Sequence, residues 1–253
     1  MLADSTVNAL TAARNSLSFA ADAADEVDNV LRRSENDIDD LRSQSNRVRD
    51  ADEPWRPVRN AQELGQDVDR RLRGGRQGLQ EVRDHLEQSA RAIAAGRSFL
   101  AELEELPGRR SATTEQLRYR LESLDRAVHG AVAGVERTDW RLTAARRNVE
   151  PLFEASAHSE DRARTAAVIN DVGEDVGRDV GHARGAIRTL REDLDNTRPD
   201  AFNIAKDTSD LATAIRAGTN PTPQSAQTAP GALGEDPRIA WAEGRDMGQG
   251  IDR

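Results

Sequence analysis

The sequence predicts an all-α fold: an elongated antiparallel helical bundle or coiled coil of four long helices plus a short fifth, over residues 1–217. A flexible C-terminal segment follows over 218–253. Three observations carry this expectation. Small and aliphatic residues recur at a/d heptad spacing through four long stretches. Prolines and a Pro-Gly pair fall between several of those stretches. Charged residues make up 32% of the chain and aromatics only 3%, which suits narrow seams between helices better than a thick core.

The first helix is the clearest. Leu10, Leu17, Ala24, Leu31, Ile38 and Ser45 hold the a positions, and Ala13, Ala20, Val27, Ser34, Leu41 and Val48 the d positions. Asp4 or Ser5 is the expected N-cap. Asp52-Glu53-Pro54-Trp55-Arg56-Pro57 ends the helix, because two prolines so close forbid continuation.

A second helix is expected from Val58. Its a positions are Val58, Gly65, Leu72, Leu79, Leu86, Ile93 and Leu100, and its d positions Ala61, Val68, Gly75, Val82, Ser89, Gly96 and Leu103. Pro107-Gly108 should stop it. The third should start near Thr113 or Thr114, with Leu121, Val128, Val135, Leu142 and Val149 at a, and Leu117, Leu124, Ala131, Thr138, Ala145 and Leu152 at d. Pro151 predicts a kink, and His158-Ser159 a reversal with Ser159 as cap. No glycine marks that reversal, so a bent continuous helix is the competing expectation. The fourth helix is expected over Glu160–Asn196, ended by Pro199, and the fifth over Asp200–Ala217, with Ile204, Thr208, Leu211 and Ile215 on one face.

Short connections imply antiparallel neighbours. Residues 1–50 carry a net charge of −4, residues 108–158 +2 and residues 159–217 −3. The net-basic third helix is therefore expected to flank the first and fourth.

Composition excludes several functions. The chain has no cysteine, so disulfides, thiolate metal sites and thiol nucleophiles are ruled out. Its net charge of −9 argues against a specific nucleic-acid binder. No apolar run is long enough for membrane insertion, and the N-terminus lacks the layout of a secretory signal. We expect a cytoplasmic protein, with secretion by a non-classical route as the alternative. Lys206 is the only lysine, a bias typical of a GC-rich bacterial genome.

His85, His129, His158 and His182 do not form the Glu-x-x-His pairs that metal-binding bundles use, so no metal or other cofactor is expected. Arg70, Arg71, Arg73 and Arg76, with Arg109-Arg110 and Arg146-Arg147, have acids within a turn or two. They read as solvated faces, the first cluster being a possible contact for an anionic partner. Gly173, Gly177, Gly181 and Gly185 recur every four residues and suggest close helix packing. With a reversal near residue 158 they would meet Gly130 and Gly134 in a tight waist. Gly74, Gly75 and Gly78 read as a local weakening of the second helix or as a hinge.

Tyr119 and Trp140 both occupy outward f positions of the third helix. They predict either burial under another helix or an exposed protein-interaction surface. Beyond a polar linker, Ile239, Trp241 and Met247 form a short apolar segment that reads as a docking motif. Trp55, between two helices, resembles the turn tryptophan of small WXG-type secreted hairpins. Trp55-Arg56-Pro57 lacks their glycine, and Ser123 stands where an export signal based on Tyr119 needs an acid. No family is assigned on that basis. The expected function is a non-enzymatic structural or adaptor protein that braces or tethers protein partners, with a homo-oligomer among the expected arrangements. The alternative is a secreted or secretion-system substrate with a C-terminal export signal.

Overall fold

The computed structural model describes residues 2–105, 112–155 and 161–217. Its elements are α1 (Leu2–Asp50), α2 (Trp55–Glu104), α3 (Ala112–Glu154) and α4 (Arg162–Arg216). The contacts divide the chain into Met1–Pro221 and Thr222–Arg253, and the four helices all belong to the first unit.

The helices form one antiparallel ring. α1 packs on α2, α2 on α3, α3 on α4, and α4 closes on α1. The register is fixed by side chains that cross between helices. Ser89 Oγ lies 3.2 Å from the Ala13 carbonyl, Arg76 reaches Asp139, Arg120 reaches Asp207 and Arg191 reaches Asp25. α1 therefore lies between α2 and α4, and α3 flanks α2 and α4 rather than α1. The charge argument had placed α3 beside α1. Short connections decide adjacency instead, and the acids that α3 meets are on α2 and α4.

Every a and d position named for the first three helices is buried, as are Ala166, Ile169, Gly173, Val176, Val180, Ala183, Ile187, Leu190 and Leu194 of α4. The interior is almost wholly Leu, Ile, Val and Ala, and the polar residues within it are Ser and Thr apart from Gln44. The Ser89 hydroxyl has one proton, with the Ala13 and His85 carbonyls both in reach. Ser34, Thr138 and Thr208 donate to carbonyls one turn back in their own helices, which satisfies each hydroxyl without a cross-seam partner.

The helix ends differ from expectation in instructive ways. α1 is already helical at Leu2, so Asp4 and Ser5 lie within its first turns rather than capping it. α2 begins at Trp55 with Pro54 at the N-cap, and Pro57 sits in the first turn, where its missing N–H has no intrahelical role. α2 ends at Glu104, and the expected stop at Pro107-Gly108 lies outside the described residues. α3 starts at Ala112, one residue before the expected range.

The chain does reverse between α3 and α4. Asp161 is the cap there, its carboxylate accepting from the Arg164 amide at 2.9 Å, and Ser159 lies outside the described residues. Gln62 of α2 donates to the carbonyls of Leu152 and Ala155, satisfying two of the groups that the end of α3 exposes.

Pro199 does not end α4, so the separate fifth helix is absent. The heptad register runs unbroken across it, from Leu194 to Ala201, Ile204, Thr208 and Leu211, all buried. Pro199 is exposed and falls at the outermost f column. The hydrogen bond it deletes is on the solvent side, and the packed face is continuous. Pro151 is likewise exposed and lies within α3, three residues from its end.

Candidate protein-interaction surface

The bundle places its aromatics outside. Phe19, Trp55, Tyr119, Trp140, Phe153 and Phe202 are all exposed, and among the described aromatics only Phe99 is buried. A heptad bundle explains this arrangement. Its interior columns are closely spaced and take branched aliphatic residues, so large rings fit only on flanking or outward positions.

Phe19 is 56% exposed, and Tyr119 and Trp140 are close to it at 58% and 61%. The expectation that a neighbouring helix covers them is not met, because α3 has neighbours only on its two flanks. The f columns of the other helices are polar or small. They read Asn15, Asp22, Asn29, Asn36 and Ser43 on α1, then Glu63, Arg70, Gln77, Asp84 and Arg91 on α2. On α4 they read Asp171, Arg178, Gly185 and Glu192 before Pro199. Only α3 carries aromatics at its outermost column. The Arg141 guanidinium lies over the Trp140 ring, 4.9 Å from its centre, and also pairs with Asp179.

The charges at the flanks of α3 are committed within the bundle. On the α2 side Arg118 pairs with Glu104, Asp125 with Arg97, Asp139 with Arg76 and Arg146 with Asp69. On the α4 side Arg120 pairs with Asp207 and Arg141 with Asp179. Asp69 is the best-held acid. Burial pushes its pKa up, but guanidinium hydrogen bonds from Arg146 and Arg73 outweigh that and hold the carboxyl below its ordinary value. Asp37 goes the other way. Burial raises it, and Arg71 at 2.7 Å, opposed by nearby Asp67 and Asp40, does not fully compensate.

The Arg70–Arg76 cluster is thereby divided. Arg70 and Arg73 pair within α2, while Arg71 and Arg76 bridge to α1 and α3. The cluster is not a free cationic patch. Between α2 and α3 lies a groove of about 520 Å³ lined by Gln62, Gln66, Asp69, Arg70, Arg73 and Phe153. Its charged groups are already paired, Asp69 with Arg73 and Arg146 and Arg70 with Asp67.

The four glycines of α4 separate into two pairs. A Cβ on Gly173 would stand 2.6 Å from Arg42 Cγ, and one on Gly177 would stand 2.5 Å from Arg42 Nη2 and 3.3 Å from Ile38 Cγ2. These two make the close approach, and they make it to α1. Gly181 and Gly185 face open space, as does Gly130, so the waist between α3 and α4 does not form. In α2, Gly78 has Val27 of α1 where its Cβ would be, whereas Gly74 is open.

His85 packs its ring 5.5 Å from Phe19, and the His129 ring nitrogen lies 2.8 Å from the Asp125 carbonyl. Among the described residues no group of three or more His, Cys, Asp or Glu is placed to hold a metal ion, and no helix is long and apolar enough to cross a membrane. Ile239, Trp241 and Met247 lie outside the described residues. The chain matches no protein-family model and no curated protein.

Proposed function

We propose that this is a non-enzymatic structural or adaptor protein, an antiparallel coiled-coil bundle that braces or tethers protein partners through the outer face of α3. The observation that carries this reading is the exposure of Tyr119 and Trp140 on the one helix whose outermost column is aromatic. Exposed rings on a rigid helix are costly to leave in water and effective as anchors, since they bury a large area with few rotamers to freeze. The segment around Trp241 supplies a second docking element on the same reading.

The test replaces both rings in the full chain, Tyr119→Gln with Trp140→Gln. Helix content and the thermal midpoint should stay within about 2 °C of the parent, since outward positions carry little stability. Cross-linked products formed by the parent in its own cells should be lost. Unfolding of the variant would make the rings part of the core. Unchanged products would move the interaction surface elsewhere.

A further inference from the structure

The geometry points to a second site, an anion-binding groove between α1 and α4 that takes a phosphate group. It is independent of the α3 face. Residues 5–21 contain no acid, and Arg14 is their only charged residue. Further along, the α1–α4 seam is ion-paired: Arg184 meets Asp28 and Glu35, Arg188 meets Asp28 and Arg191 meets Asp25. At the acid-free stretch the seam arginines meet other groups. Arg14 lies over the Phe202 ring, 4.7 Å from its centre, and Arg198 donates to the Ser18 hydroxyl oxygen at 2.7 Å. These two crossings are one helical turn apart, about 5–6 Å. The groove they line has a volume of about 390 Å³.

The groove is rich in donors. The Arg14 guanidinium has neither a carboxylate nor a hydrogen-bond acceptor among the described residues, so its N–H edges are open while one face rests on Phe202. Ser18 accepts from Arg198, which leaves its own hydroxyl proton to donate. The Asn15 amide lines the same groove. The one acid in the lining is Asp195, and Arg191 and Arg198 already share it. Asp200 stands in the column of Asp207, which faces α3 and pairs with Arg120. Lys206, the chain's only lysine, follows one turn after Phe202 and is exposed, with no ion pair among the described residues. Arg14, Arg198 and Lys206 thus stand against one shared carboxylate, in a chain whose net charge is −9. A phosphate group matches this setting. Its oxygens accept from the Arg14 fork and the Ser18 hydroxyl together, and its charge offsets the surplus. Phe202, 47% exposed, offers an apolar surface to the organic body of an ester. The α2–α3 groove has no such surplus, because Arg70 and Arg73 are paired there.

A phosphate group can arrive free, on a small ester or on a lipid headgroup, and the test separates these sources. The full chain is titrated at constant ionic strength with inorganic phosphate, phenyl phosphate or chloride, and amide chemical shifts are followed by NMR. Amides of residues 11–18 and 195–206 should shift and saturate with both phosphates and not with chloride, with Kd for phenyl phosphate on the order of a millimolar or below. Arg14→Gln should weaken phenyl phosphate binding about tenfold or more, since it removes a charged fork. Ser18→Ala should weaken it less, and Arg178→Gln, on the outer column of α4, should change nothing. Phe202→Ala should bring phenyl phosphate down to the affinity of inorganic phosphate. Arg14→Lys keeps the charge without the fork and should also bind more weakly than the parent, which covers the case of an Arg14→Gln variant that misfolds. Co-sedimentation with phosphatidylglycerol vesicles, lost in the Arg14 variants, would make the source a lipid headgroup. No co-sedimentation, with phenyl phosphate bound, would make it a soluble phosphate. Shifts scattered over the bundle, equal shifts with chloride, or Arg14 variants that bind as tightly as the parent would overturn the proposal.

Discussion

At the scale of the residue, position within the heptad decides what one substitution does. Gly173 and Gly181 are both helix glycines, but a Cβ at Gly173 meets the stem of Arg42 while one at Gly181 meets nothing. Gly181→Ala and Gly185→Ala should each raise stability by roughly 0.5–1 kcal/mol, the ordinary helix-propensity gain. Gly173→Ala should lose that gain or reverse it, because Arg42 must move. Denaturant midpoints of the three variants read this directly. Asp69 gives the corresponding electrostatic case. Its pKa is depressed by Arg146 and Arg73, so its contribution is fully present above the ordinary carboxylate range and fades as pH falls through the depressed value. Asp69→Asn should cost about 1–2 kcal/mol near neutral pH, and the gap between variant and parent should close in acid. A gap independent of pH would mean that the carboxylate's charge is not what matters.

At the scale of the element, the seams were legible in the sequence and the helix boundaries only partly so. Every a and d position read from the spacing of Leu, Val, Ile and Ala is buried, because a sustained heptad leaves each helix only one narrow face to hide. Leu142→Ala, at the centre of the α3 seam, should therefore cost about 2–5 kcal/mol, measured by reversible unfolding. Pro199 was misread as a stop. Its column, not its identity, settles its effect, and Ile204, Thr208 and Leu211 continue the register of Leu190 and Leu194. Pro199→Ala should stabilise the bundle by about 1 kcal/mol or more by restoring one backbone hydrogen bond, with helix content unchanged or slightly higher. Of the glycine series, Gly173 and Gly177 make the close packing that the spacing suggested, against α1, while Gly181 and Gly185 face open space. Spacing on one helix says which residues share a face and not which neighbour that face meets. The outward placement of Tyr119 and Trp140 was legible from heptad position. Their exposure depended on ring topology, since a third neighbour of α3 would have covered them.

At the scale of the molecule, helix order sets what is left to meet other proteins. α1 is held between α2 and α4 by salt links such as Arg71 to Asp37 and Arg184 to Asp28 and Glu35. α3 is held in the same way on both flanks, and among the described helices only its outermost column carries large rings. Met1–Pro221 forms its own compact unit, so a chain ending at Pro221 should unfold cooperatively with a midpoint close to that of the full chain. A large loss would make the remaining segment part of the fold. The claim that the outer face of α3 is the interaction surface is tested most directly by photo-cross-linking in the cell. One photoreactive residue is placed in turn at Asn29, Asp84, Trp140 and Arg178, the outermost columns of α1, α2, α3 and α4. The account predicts discrete adducts from position 140 and little from the other three. Equal yields from all four, or adducts concentrated on another helix, would contradict it.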